Sequence, residues 1–206
     1  MLALAAARHS GLMTHRPPTS ARRRLSPALV TLLGVALLIG GCALTVAGSP
    51  GTGELSPAAA AALTDQDGYI PDGERLPVDD TRPAVARLTA PLRAALLAAD
   101  HDARRDGLTL MVNNGWRSPA YQQALFDQAI VKYGSAAEAA RWVATPQTSH
   151  HVQGAAVDIG PVPAARWLGE HGAAYGLCRT YANEPWHFEL ATGGSCPRPL
   201  ADAAAG

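Results

Sequence analysis

The run Ser149-His150-His151-Val152-Gln153-Gly154-Ala155-Ala156-Val157-Asp158-Ile159 sets two adjacent imidazoles in a loop and a carboxylate seven residues beyond the second of them. Residues 154–159 suit a β-strand, whose period of two places Ala156 and Asp158 on one face and Ala155, Val157 and Ile159 on the other. The aspartate is thereby aimed away from the apolar side. Downstream, Glu184-Pro185-Trp186-His187 puts a second carboxylate three residues before a further imidazole. Two neutral imidazoles and a carboxylate suffice to hold a zinc ion while leaving one coordination position open, and hydrolysis requires that opening. Composition alone leaves open which of His150 and His151 is the ligand.

Outward from this strand, Val85, Leu88, Leu92, Leu96 and Leu97 recur at helical spacing, which predicts an amphipathic helix over residues 84–104 that ends before Gly107. Residues 108–112 read as a short apolar strand running into the turn-like Asn113-Asn114-Gly115. Ser118 is placed as an N-cap with Pro119 at the first helical position, opening a helix to about residue 133. A second helical piece over 136–143 stops before Pro146. Residues 163–173 form another expected helix, and 176–181 and 186–190 are expected strands. Hairpin-like late segments and the absence of a repeat favour an α+β fold, one domain with a central antiparallel sheet flanked by helices.

The 17 basic and 17 acidic side chains cancel formally, but the balance is uneven along the chain. Five of the basic residues (Arg8, Arg16, Arg22, Arg23 and Arg24) lie in residues 1–41, which hold no acidic residue, leaving 12 basic against 17 acidic in the remainder. No clustered basic surface remains for phosphate neutralisation, so nucleic acid is not an expected partner. The basic stretch is followed by 21 uncharged residues from Ala28 to Gly48. A basic flank before an apolar run of that length is a secretion signal or a membrane anchor, with the N-terminus cytoplasmic and the rest outside. The expected organisation is a tail and signal or anchor over 1–48, a flexible linker rich in Ala, Gly, Pro and Ser over 49–70, a folded domain over 71–196, and a flexible tail over 197–206. The domain is expected to be monomeric.

Ile39-Gly40-Gly41-Cys42 resembles a bacterial lipobox, which would attach lipid to Cys42; the apolar run that continues through Leu44 and Val46 favours an uncleaved anchor instead. Cys178 and Cys196 then form an even pair in a compartment that permits disulfides, and a bond between them is expected. It would close a loop around Glu184 and His187, stabilising the domain by roughly 3 kcal/mol in the chain-entropy model.

The two segments resemble the Ser-x-His-x-x-Gly-x-Ala-x-Asp and Glu-x-x-His signatures of the zinc D,D-carboxypeptidase family, which includes VanY-type carboxypeptidases and shares its fold with Hedgehog signalling domains. The resemblance covers about residues 75 to 190. It implies His151, Asp158 and His187 as ligands of Zn2+, Glu184 as catalytic base, and Ser149 as a substrate-binding residue. It therefore selects His151 over His150. Gly115-Trp116-Arg117-Ser118-Pro119-Ala120-Tyr121-Gln122 is similar to the family's Gly-Tyr-Arg-Ser-x-x-x-Gln segment, implying that Arg117 and Gln122 face the substrate. A guanidinium is suited to a terminal carboxylate through parallel charge-assisted hydrogen bonds. Two departures are visible, Gln147 where a glycine is common and His150 where an acidic residue is common. The implied activity is removal of terminal D-Ala from peptidoglycan stem peptides ending in D-Ala-D-Ala, at the outer face of a bacterial cell membrane. The alternatives are an L,D-carboxypeptidase, a D,D-dipeptidase or a peptidoglycan endopeptidase. From another class, a zinc-containing wall-binding module without catalysis is the alternative, and Glu184 is the residue that argues against it.

Overall fold

The edge of the sheet begins where Leu76 turns its side chain inward. The computed structural model describes residues 62–205, together with Leu55 and Ala60. The anchor segment and Cys42 lie outside the described residues. Within them, β1 (Leu76–Pro77), β2 (Met111–Asn114), β3 (Ala156–Gly160), β4 (Leu177–Arg179) and β5 (His187–Leu190) form one five-stranded sheet in the order β1-β2-β3-β5-β4. Every neighbouring pair is antiparallel. The helices are α1 (Pro83–Ala86), α2 (Ala90–Arg105), α3 (Pro119–Tyr133), α4 (Ala136–Ala140) and α5 (Val162–His171). The protein is thus α+β, with an antiparallel sheet and flanking helices. No helix among the described residues is long and apolar enough to cross a membrane.

The alternation expected around Asp158 divides the sheet into two faces. Val112, Val157, Ile159, Phe188 and Leu177 belong to the apolar core, which also takes Leu92, Leu96, Ala99 and Ala103 of α2 and Ala164 and Leu168 of α5. The opposite face carries Asp158 and its lateral partners. Asp158 pairs in register with His187 on β5 and with Asn114 on β2, and Ala156 pairs with Glu189. Residues directly opposite on antiparallel strands bring their Cβ atoms within about 5.5 Å. Two of the expected ligands are therefore neighbours by strand register.

The expected single helix over 84–104 is two helices, and the reason is Pro91. Its ring would meet the carbonyl of residue 87 and it has no N–H to give, so a helix cannot run through it. It is instead accommodated in the first turn of α2, after Thr89 as N-cap. The break is used: Thr89 N–H donates to Gly154 O at 2.9 Å. Gly154 has φ +68°, and a Cβ there would lie 2.4 Å from the carbonyl oxygen of Arg87. The glycine that closes the loop carrying His151 is required by both conformation and contact.

The Ser118 cap is as expected, accepting from Tyr121 N–H at 3.0 Å, with Pro119 opening α3. Two boundaries differ from the reading of the sequence. The stretch 49–70 is not linker throughout: Ile70 sits in the core, and Asp67 accepts from the Ser118 hydroxyl at 3.0 Å, because a buried apolar side chain and a cap contact fix residues that composition marks as spacer. Residues 197–205 are not a loose tail either. Leu200 bridges Tyr181, and Asp202 is buried against Arg141.

Candidate metal centre

Three nitrogen and oxygen atoms converge on one point of the polar face. His151 Nε2 lies 3.5 Å from Asp158 Oδ1, His187 Nδ1 lies 3.3 Å from the same oxygen, and the two imidazole nitrogens are 3.3 Å apart. The outer ring nitrogens are engaged: His151 Nδ1 lies 2.8 Å from Gly115 O and His187 Nε2 lies 2.7 Å from Glu189 Oε1. A carbonyl and a carboxylate accept, so both outer nitrogens carry the N–H, and each ring in its neutral form turns a lone pair inward. Asp158 Oδ1 is buried and has no hydrogen-bond partner among the described residues. With both rings neutral, three acceptors face one another, an arrangement suited to a cation. Tetrahedral zinc with bonds of about 2.0–2.1 Å would separate its ligand atoms by about 3.3 Å, which these side chains already match.

His150 is kept out of this arrangement. Its ring is turned away and half exposed, with Nδ1 2.7 Å from Glu189 Oε2. Glu189 therefore bridges the two histidines, one oxygen to each. Sequence reasoning missed this residue. Its signal was its position two residues after His187 on a strand, which returns its side chain to the same face.

Glu184 is buried on the rim, with Oε2 3.7 Å from His187 Nδ1. Burial pushes its carboxyl up to about 7, against the pull of His187. Burial also drives His151 down to about 4, aided by the Arg117 charge, so this imidazole is neutral at physiological pH. For His187 burial opposes charge, but the Asp158 and Glu189 carboxylates prevail and raise it to about 9, so in the metal-free chain its inward nitrogen takes up a proton that a metal would displace. Asp158 is held well below the usual carboxylate range, its burial outweighed by His151, His187 and Arg117. Glu189 is lowered to about 2 as His150 and His187 overcome the cost of burying it.

Arg117 is buried and donates to Asp158 Oδ2 and to Gln122 Oε1, each at 3.1 Å. Among the described residues, three of its five N–H groups make no hydrogen bond, one of them the buried Nε–H. Gln122 lines the cleft beside Arg117. It is 1% exposed and spends its other end on Ala144 O at 2.7 Å, so it braces the guanidinium. Ser149 is buried at the cleft wall, and among the described residues no hydrogen bond engages its hydroxyl. Cys178 and Cys196 form a disulfide, with Cα atoms 5.3 Å apart. A cleft of about 920 Å³ opens over the centre, lined by Arg117, Ser149, Tyr181, Glu184 and Trp186 among others.

The D-alanyl-D-alanine carboxypeptidase family model named VanY matches residues 86–192, just over half of the 206-residue chain. The chain belongs to the VanY family. All of the converging residues fall within the matched span. This VanY-family chain is 34% identical to a D-alanyl-D-alanine carboxypeptidase of Enterococcus faecalis (strain ATCC 700802 / V583) over a 111-residue alignment, which covers 42% of this chain and 41% of that protein. It thus spans well under half of that relative's length. Among solved structures it is similar to VanYB in complex with D-alanine-D-alanine, at 29% identity, 59% of this chain, 80% of the other and a TM-score of 0.49. It is also similar to a mutant of the vancomycin-resistance D,D-pentapeptidase VanY in complex with Zn(II), at 28% identity, 64% and 88% coverage and a TM-score of 0.49.

Proposed function

We propose that this VanY-family chain is a zinc-dependent D-alanyl-D-alanine carboxypeptidase that removes the terminal D-Ala of peptidoglycan stem peptides. The observation that carries the reading is the convergence of Asp158 Oδ1 with the inward nitrogens of His151 and His187, with Glu184 beside them. Family membership and the E. faecalis relative, which is named for this activity, supply the peptide class.

His151, Asp158 and His187 would hold the ion, with ring orientations set by Gly115 and Glu189. Zinc in this position would supply Lewis acidity toward the scissile carbonyl and the hydrolytic water. Glu184 takes the water's proton at Oε2 and returns a proton to the leaving amine. Its carboxyl near pH 7 lets it do both. The remaining N–H groups of Arg117 hold the terminal carboxylate and the Ser149 hydroxyl contacts the peptide, so that the last bond meets the water. The basic segment and apolar run over residues 1–48 support export and tethering outside the cytoplasmic membrane, where such peptides occur.

The decisive experiment incubates the exported domain with a D-Ala-D-Ala pentapeptide, with and without zinc, and weighs the products. The expected outcome is loss of one D-Ala. Glu184→Ala should lower turnover by at least about 10²-fold while zinc stays bound. Full turnover by Glu184→Ala, or a product other than the tetrapeptide, would defeat the assignment.

A further inference from the structure

The family match ends at residue 192, yet the chain beyond it is built into the cleft. After Thr180 pairs with His187 the β4–β5 connection peels away from the hairpin, and residues 181–183 lose their ladder partners. The C-terminal segment replaces them. Leu200 N–H donates to Thr180 O at 2.9 Å and Leu200 O accepts from Ala182 N–H at 2.7 Å, forming a parallel bridge around Tyr181. Further along, Asp202 is buried and accepts from Arg141 Nε at 2.9 Å. The carbonyl of that same Arg141 accepts from Asn183 Nδ2 at 3.2 Å. The Cys178–Cys196 bond ties the start of the segment to β4. Tyr181 and Asn183, held in this way, flank the approach to Glu184, and the Tyr181 ring lies 5.0 Å from that of His187. Pro197, Pro199 and Ala203 line the same cleft as Tyr181 and Glu184.

We infer that residues 197–205 act as a positioning element that pins the loop carrying Tyr181 and Glu184 over the metal face and walls the cleft beside it. The inference rests on the proposed peptidase reading for its effect on turnover, but the pinning itself does not. The metal ligands come from β3, β5 and the loop before β3, none of which the segment touches by a backbone hydrogen bond. Removing the segment should therefore separate catalysis from metal binding. A displacement of about 1 Å at a reacting group costs on the order of 10²-fold.

Two variants test this, a chain ending after Cys196, which keeps the disulfide, and Leu200→Pro, which removes the N–H that reaches Thr180 and fixes the local φ. Three readouts are needed: zinc affinity by chelator competition, kcat and KM on the pentapeptide, and hydrogen exchange of amides 181–184. Zinc affinity within about threefold of the full chain is expected, with kcat down on the order of 10²-fold for the truncated chain and exchange at 181–184 accelerated. Asp202→Ala should share the exchange phenotype, and Asp202→Glu should restore part of it. Unchanged kcat and exchange in the truncated chain overturn the inference, as does parallel loss of zinc and activity, which would mark general unfolding. Should the full chain cleave no D-Ala peptide, the exchange arm still decides whether the loop is pinned, so failure of the proposed activity and failure of this inference read differently.

Discussion

Glu189 illustrates how much one side chain at the metal face decides. By accepting from His187 Nε2 it fixes the tautomer that turns Nδ1 inward, and by accepting from His150 it is itself held. Residues that orient ligating histidines typically cost 10–100-fold in metal affinity when replaced. We predict that Glu189→Ala weakens zinc binding by about that factor, measured by competition with a chromophoric chelator, and that Glu189→Gln weakens it less because an amide oxygen still accepts. A second prediction concerns protons. His187 stands at about 9 in the metal-free chain and so carries a proton at neutral pH, whereas a ligand imidazole must be neutral. Zinc binding should therefore release a proton, and apparent affinity should fall roughly tenfold for each pH unit below about 9. Calorimetry in buffers of differing ionisation enthalpy reads this directly; binding with no proton release at pH 7 would contradict it.

Among the elements, the N-terminus of α3 joins the two ends of the site. Ser118 caps the helix by accepting from Tyr121 N–H, and its hydroxyl donates to Asp67. Ser118→Ala should cost about 1 kcal/mol, read as a lowered denaturation midpoint. The Asp67 carboxyl is held below its ordinary value, chiefly by the Thr64 backbone N–H and also by Ser118. A depressed carboxylate pKa stabilises above the unfolded value near 3.8 and is lost as pH falls through the folded one. Asp67→Asn should accordingly flatten the acid limb of the stability curve below about pH 4. Local signals made these elements legible: the Ser118-Pro119 start of α3 and the alternation of β3 lie in consecutive residues. The break at Pro91 was equally local but was outweighed by a leucine pattern that continues across it. The two-residue β1 had no signal of its own, since its strand character comes entirely from pairing with β2.

For the molecule as a whole, metal and fold are expected to be coupled. The three proposed ligands come from a loop and two strands, so an ion bound only to the folded state would stabilise it by mass action, by about 2.7 kcal/mol at a hundredfold excess over Kd. Chelation should lower the melting temperature, and zinc should restore it; a midpoint indifferent to zinc would argue against the site. The proposed ligand types, their spacing and the proposed base are properties of short runs, His151 to Asp158 and Glu184 to His187, and each run keeps its meaning whatever the rest of the chain does. Pairings between runs are different, because they depend on strand register and on where distant segments land. Register set Asp158 opposite His187 and returned Glu189 to the same face. Packing committed Gln122 to Arg117 and Ala144, and it brought a composition that looks like loose tail back against Tyr181. None of those contacts is written in neighbouring residues, since each is selected by the free energy of packing distant segments of the chain against the sheet.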